Sequence, residues 1–262
     1  DEFKRRGFGM ELKFENFLEI VEEAGQCILE MSRRDDYTVG DKGKAGPVTE
    51  ADLAANQILM KLRNELEGSW YISEESDLDP AKLDSQYVWI VDPMDGTREF
   101  VEGVPEYAVS VALVRSQRIL FSAVYNPHEA LDYQIEGKLG FKAVSDNCRN
   151  NLKGICVSRS EWKRNLFEDF EDFEFHPVGS IAYKLALVAR GSFEGVISLR
   201  PKNEWDIAGG VGLIQAAHKT ACDVLGRKFQ WNRMCKLEGV LAGDDSFVRN
   251  TLASYDLHKA FR

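Results

Sequence analysis

The six residues Asp92-Pro93-Met94-Asp95-Gly96-Thr97, directly after the apolar run at 87–91, constrain this chain more than any other stretch. Proline fixes its own φ and holds the preceding aspartate in extended backbone, so the two carboxylates converge from a defined corner. Gly96 admits close backbone approach, and Thr97 can open a helix whose first N–H groups face an anion. Taken alone, such a corner reads equally as a turn with a helix cap. Two further acidic segments shift that balance: Glu74-Glu75 follows the short apolar run Trp70-Tyr71-Ile72, and Asp206 lies in Glu204-Trp205-Asp206-Ile207-Ala208-Gly209. Carboxylates from three separated segments, each at the edge of an apolar run, make the oxygen set that magnesium takes when no dedicated cage is used.

A length of 262 residues suits one large domain or two closely packed lobes. No repeat, linker or low-complexity boundary divides the chain. Residues 11–262 therefore read as one unit with lobes near 11–150 and 151–262, and residues 1–10 as a loose leader or expression remnant. The 33 basic against 43 acidic residues give a formal charge of −10. That balance argues against a nucleic-acid polymer or an anionic membrane as main partner, and no apolar run reaches membrane-spanning length. The five cysteines are odd in number and lack any Cys-x-x-Cys pair, which points to a reduced, cytoplasmic setting. The four histidines have no zinc-type spacing, so each reads as a packing or surface residue.

Apolar spacing predicts a helix over 12–31 with one buried stripe, and a second helix from 48–52 to about Leu66. Residues 40–47 read as a basic, glycine-bearing loop. Strands are expected at 87–91, 108–115, 119–125 and 133–143, with turns at 116–117, 126–128 and 137–140, forming an antiparallel meander. Further on, the pattern predicts an amphipathic helix end within 167–175 leading into an extended segment, a helix from Gly179-Ser180 to Arg190, a strand at 195–199, a helix from Asp206 to about His218 and a hairpin over 222–231. Alternating layers of this kind make an α/β or α+β fold.

Glu74-Glu75-Ser76, the Asp92 motif with Phe100, and Trp205-Asp206-Ile207-Ala208-Gly209 resemble, in order, three signatures of the inositol monophosphatase-like superfamily of magnesium-dependent, lithium-sensitive phosphatases. The resemblance runs from about Leu12 to the C-terminus. It implies a phosphomonoesterase with the sugar-phosphatase fold, a layered helix/sheet sandwich, using two or three magnesium ions. Glu74 and Asp92, helped by the Met94 carbonyl, would bind a first ion, while Asp92, Asp95 and Asp206 bind a second. Glu75 would act behind them, near a third, weaker ion. One ion then activates water and the other stabilises the leaving oxygen. Thr49 and Asp52 fit a variant capping box, but the resemblance also implies that Asp52 accepts the Thr97 proton in a catalytic relay, so two roles compete for Asp52. Covalent-serine, nucleotide-triphosphate and zinc schemes find no Gly-x-Ser-x-Gly, Gly-x-x-x-x-Gly-Lys or His-Glu-x-x-His motif.

Thr97-Arg98-Glu99-Phe100-Val101-Glu102-Gly103 is similar to the 3'(2'),5'-bisphosphate nucleotidase version of the motif. Seven residues before Asp206, where inositol enzymes place a sugar-contacting glutamate, stands Leu199. Arg200 and Lys202 lie nearby, and Gly179, Ser180 and Lys184 could offer donors to a second phosphate, with Gly96, Thr97 and Asp206 also against the substrate. The expected partner is thus a small phosphate ester, adenosine 3',5'-bisphosphate first, with inositol 1-phosphate or another sugar phosphate as the alternative. A homodimer is the candidate assembly. A regulatory role through macromolecule binding is the competing class, against which the complete carboxylate set argues. Ala216-Ala217-His218-Lys219 replaces the usual Glu-Ala-Gly-Gly, and Lys44 stands where an acidic residue is common; both departures bear on turn geometry and specificity.

Overall fold

The computed structural model describes residues 13–34, 38–41, 47–75, 86–146, 148, 152–233 and 235–257. Residues 1–10, Lys44 and Ser76 lie outside them. Helix α1 (Phe14–Met31) buries Phe17, Ile20, Val21, Ala24 and Ile28, the stripe that its spacing predicts. A short antiparallel pair, β1 (Val39–Asp41) and β2 (Pro47–Thr49), flanks part of the basic loop. The second helix is interrupted at Met60 and Lys61, giving α2 (Glu50–Leu59) and α3 (Leu62–Glu65).

Among the described residues a six-stranded sheet follows, ordered β3-β4-β5-β6-β7-β8. Its strands are β3 (Trp70–Ser73), β4 (Tyr87–Asp95), β5 (Ala108–Arg115), β6 (Arg118–Asn126), β7 (Ala130–Ile135) and β8 (Lys138–Ala143), with the short α4 (Thr97–Val101) between β4 and β5. β3 runs parallel to β4, and the rest form the expected antiparallel meander. The tight turn before β8 falls at Glu136 and Gly137, both at positive φ, so Gly140 lies inside a strand rather than in the expected turn.

β4 is apolar without alternation because helices cover both faces of the sheet. Trp89 and Val91 face α1 and α2, while Val88 and Ile90 face the opposite layer. The strand does not stop at Val91. It continues through Asp95, but its pairing with β5 slips between Asp92 and Asp95, where Pro93 has no N–H to give the ladder. Residues three apart in a regular strand point to opposite faces; this bulge is what lets Asp92 and Asp95 reach one cleft.

A five-stranded sheet, ordered β10-β9-β11-β13-β12, is built from β9 (Ile155–Ser158), β10 (Phe175–Val178), β11 (Gly195–Ser198), β12 (Thr220–Cys222) and β13 (Val240–Gly243). Among the described residues, helices α5 (Arg159–Trp162), α6 (Ile181–Ala189), α7 (Glu204–Ala216) and α8 (Asp245–Ser254) complete the set of elements. Helices α6 and α7 fill the layer between the two sheets, and α8 covers the outer face of the second. Helix α7 lies very close to the first sheet: a Cβ on Gly209 would meet Ser110 Oγ at 2.5 Å and the Val111 amide nitrogen at 3.1 Å. That approach sets the depth of Asp206, three residues earlier.

Two expectations fail in this half. The phenylalanines within 167–175 do not form a helix end: Asn165 adopts a left-handed conformation after α5, and Phe167, Phe170, Phe173 and Phe175 cluster with Tyr255 instead. The hairpin over 222–231 is replaced by a turn that Asp223 closes, accepting from the amides of Leu225 and Arg227, while β12 pairs with β13. At the end of α7, His218 takes the left-handed position that glycine commonly fills. Among the described residues no helix is long and apolar enough to cross a membrane.

Between β7 and α6 lies a buried polar group. Tyr183 donates to Glu129, Arg190 Nη2 donates to Glu129 at 2.9 Å, and Arg190 Nε stands 3.7 Å from Asp132. Burial pushes the Asp132 carboxyl up to about 7, with Arg190 pulling it down and Glu129 pushing it further up. A carboxyl whose folded pKa exceeds its unfolded value contributes stability in full below the unfolded value, near 3.8, and loses it as pH rises through about 7. Asp132→Asn is therefore expected to remove on the order of 2–4 kcal/mol of the stability decline between pH 4 and pH 8. Urea unfolding of both proteins at the two pH values checks this, and an unchanged decline contradicts it.

Candidate active site

A cleft of about 390 Å³ opens where the bulged end of β4, the start of α4, the N-termini of α6 and α7 and the β9–α5 junction meet. This size suits a small molecule. Of the residues that sequence reasoning singled out, Glu74, Asp92, Met94, Asp95, Gly96, Thr97, Gly179, Ser180, Arg200 and Asp206 line it. Asp52 sits behind Thr97, in hydrogen-bond contact with it; burial raises its carboxyl above the usual range, and the charge of Glu75 raises it further.

The electrostatics record how acidic this cleft is. Asp92, 1% exposed, has its carboxyl held well above the usual carboxylate range by burial and then by Glu74, Asp95, Asp206 and Asp52. Burial, followed by the charge of Asp95, raises Asp206 to about 6. Protein donors hold several of these carboxylates: Asp92 Oδ1 accepts from the Met94 amide at 3.0 Å, and Asp95 Oδ2 from Ser180 Oγ at 2.6 Å and the Ala182 amide at 2.7 Å. Asp206 Oδ2 accepts from the Asn203 amide at 2.7 Å. In that arrangement no three acidic, histidine or cysteine side chains among the described residues are gathered closely enough to hold a metal ion as they stand. They share one cleft and one another's charge.

The two oxygens of Asp52 make separate contacts. Oδ2 accepts from the Thr49 amide and hydroxyl, both at 2.7 Å, completing the capping box of α2, while Oδ1 accepts from Thr97 Oγ1 at 3.0 Å. Thr97 Oγ1 also lies 3.1 Å from the Met94 carbonyl. A hydroxyl has one proton, and a carboxylate is the stronger acceptor, so donation to Asp52 releases the Met94 oxygen to the cleft. Gly96, the residue before α4, has φ +98°, and a Cβ there would come within 2.9 Å of the Glu106 carbonyl, so glycine is required at this corner.

The anticipated phosphate donors fare differently. Lys184 is 1% exposed and gives its ammonium to the carbonyls of Val178, Gly179 and Ser180, so it braces the start of α6 rather than facing a ligand. Its position one helical turn after Ser180 suggested the opposite. Gly179 donates its amide to Glu106, and Ser180 Oγ is turned onto Asp95 while capping α6. Leu199 is buried and is not among the residues that line the cleft. Sequence reasoning missed Arg159, Ser160, Glu161, Asn203 and Lys236 in the cleft wall. The one available signal was the Ser158-Arg159-Ser160 triplet closing the apolar run of β9. Buried Glu161 gathers Ser198 Oγ and the amides of Leu199 and Arg200, fixing the loop that carries Arg200, Lys202 and Asn203.

Stacked helix and sheet layers thus frame a cleft in which an acidic floor, at the bulged end of β4 and the N-terminus of α7, faces basic side chains of the wall. A sequence description of the "Inositol monophosphatase family" matches residues 12–255, and the chain belongs to that family, whose members are phosphoric monoester hydrolases. It is 30% identical over 222 residues to the 3'(2'),5'-bisphosphate nucleotidase CysQ of Haemophilus influenzae, covering 77% of this chain and 82% of that protein. It is 32% identical over 229 residues to an inositol-1-monophosphatase of Mesorhizobium japonicum, covering 80% and 83%. Among solved structures, the extragenic suppressor protein suhB from Bartonella henselae shares the fold with a TM-score of 0.74 at 24% identity, covering 95% of this chain and 98% of that one.

Proposed function

We propose that the chain is a magnesium-dependent phosphomonoesterase that converts adenosine 3',5'-bisphosphate to AMP and phosphate in the cytoplasm. The observation that carries the hydrolytic reading is the Thr97 hydroxyl donating to buried Asp52 at the edge of the acidic cleft. The donor set is all carboxylate and carbonyl oxygen, and Asp92 is buried among like charges with a raised pKa, so a hard divalent cation fits where another charge type would not. Glu74, Asp92, Asp95, Asp206 and the Met94 carbonyl are the residues that would hold it. A bound cation supplies positive charge that polarises the phosphate ester and stabilises the departing alkoxide. Asp52 holds the Thr97 proton, which leaves Thr97 Oγ1 as acceptor for a proton of the attacking water. Ser180 and the Ala182 amide orient Asp95, and the Asn203 amide orients Asp206.

For the ester, the support is the pairing of that acidic floor with the basic wall residues Arg98, Arg159, Arg200, Lys202 and Lys236, together with an apolar residue at 199. A substrate with two phosphates presents one to each. The similarity to CysQ agrees with this, and the similarity to an inositol-1-monophosphatase keeps inositol 1-phosphate as the alternative. A phosphate-release screen over adenosine 3',5'-bisphosphate, inositol 1-phosphate and sugar phosphates, with magnesium and with lithium added, decides the matter. The expected result is preferential, magnesium-dependent and lithium-inhibited release from the bisphosphate. Equal or faster cleavage of inositol phosphate reverses the ranking, and negligible turnover of every ester with co-purification of a macromolecule favours a regulatory binding role.

A further inference from the structure

Arg159 opens α5 and lines the cleft, with its side chain about one-third exposed at 35%. Its Nε and Nη2 both donate to Glu106 Oε2, at 3.0 and 2.6 Å. Glu106, 2% exposed, belongs to the loop between α4 and β5, and the same Oε2 accepts the Gly179 amide at 2.7 Å. One buried carboxylate beside the first sheet therefore grips a guanidinium from the β9–α5 junction and the backbone leading into α6. Gly179 is followed by Ser180, whose hydroxyl donates to Asp95. Arg159 and the acidic end of the cleft are thus referenced to a common point.

Two of the other basic wall residues, Lys202 and Lys236, are held by neutral acceptors. Lys236 donates to Asn203 in an exposed contact, and Lys202 donates to the Arg200 carbonyl with Glu161 at 3.7 Å. A guanidinium carries five N–H donors in a rigid plane, so two can serve Glu106 while the group still offers a fork to a phosphate. Fixing its orientation beforehand removes part of the ordering cost that a free arginine would meet on binding an anion.

Resting on the nucleotidase reading above, we propose that Arg159 is a specificity-determining residue that takes the second phosphate of a nucleoside 3',5'-bisphosphate. Glu106 is the positioning residue that aims it. Adenosine 3',5'-bisphosphate and adenosine 3'-monophosphate share the scissile ester and differ only in that second phosphate, so the ratio of their kcat/KM values isolates the contact.

The experiment measures this ratio for wild type, Arg159→Gln, Arg159→Lys and Glu106→Gln, with thermal melts alongside. Arg159→Gln is expected to lower the ratio by about 10–100-fold, the span of a charge-assisted hydrogen bond, chiefly through KM for the bisphosphate. Arg159→Lys should recover part of the loss, and Glu106→Gln should lower the ratio by about 5-fold. A purely structural pair would depress both substrates alike with a lower Tm and an unchanged ratio, which overturns the inference. Should Glu106→Gln fail to fold, Arg159→Gln at the cleft wall decides alone. A wild type that leaves the bisphosphate intact overturns the nucleotidase reading and this inference with it. Wild-type cleavage with an unchanged ratio in Arg159→Gln overturns the inference only.

Discussion

Replacing Asp92 with Asn is expected to lower phosphate release by about a thousandfold while making the cation-free protein harder to melt. The two effects share one cause. Asp92 is buried, and Glu74, Asp95, Asp206 and Asp52 all raise its pKa, so at neutral pH the folded chain either keeps a repelled charge or takes up a proton that the unfolded chain does not need. Asparagine requires neither, and its side-chain oxygen can still accept the Met94 amide as Asp92 Oδ1 does. The gain should be on the order of 1–3 kcal/mol, several degrees in Tm. Melts in chelator and in magnesium test it: magnesium should raise the Tm of wild type and raise that of the variant much less. A variant that melts below wild type in chelator would refute the account.

The second large effect separates the two jobs of Asp52. Asp52→Asn should preserve the fold yet reduce turnover by about 10²–10⁴-fold, because the amide cannot take the Thr97 proton. Thr49→Ala removes the hydroxyl from the Oδ2 side of the same carboxylate and should cost about 1 kcal/mol of stability with activity within a few-fold of wild type. Thermal melts and phosphate release on both variants distinguish the roles. If Thr49→Ala were as inactive as Asp52→Asn, the Thr97 contact would not be the catalytic one.

Much of this architecture is legible in the order of residues, for reasons that differ by element. Helix α1 and the meander announce themselves because one face or alternate positions are apolar over many residues. The Asp92 motif stands out because its parts are contiguous. The bulge that brings Asp92 and Asp95 into one cleft is not readable, since it depends on how β4 pairs with a strand that begins 13 residues later. Strands β9 and β13 span four residues each and carry too little pattern to declare themselves. Lys184 misleads because spacing places it one turn beyond Ser180 but does not say that its long stem folds back onto carbonyls. Arg159 escapes notice because its meaning comes from Glu106, 53 residues away in sequence.

Asp52 and Asp206 each occupy the third position of a helix, and each accepts the backbone amide of the residue just before that helix. The acidity of the cleft is thereby anchored at the positive ends of α2 and α7. Mutational drift that silenced either aspartate would also unseal a helix beginning. A descendant of this chain that gave up hydrolysis for another occupation would have reason to keep both carboxylates, so their persistence in a relative is weak proof that the relative still turns over an ester.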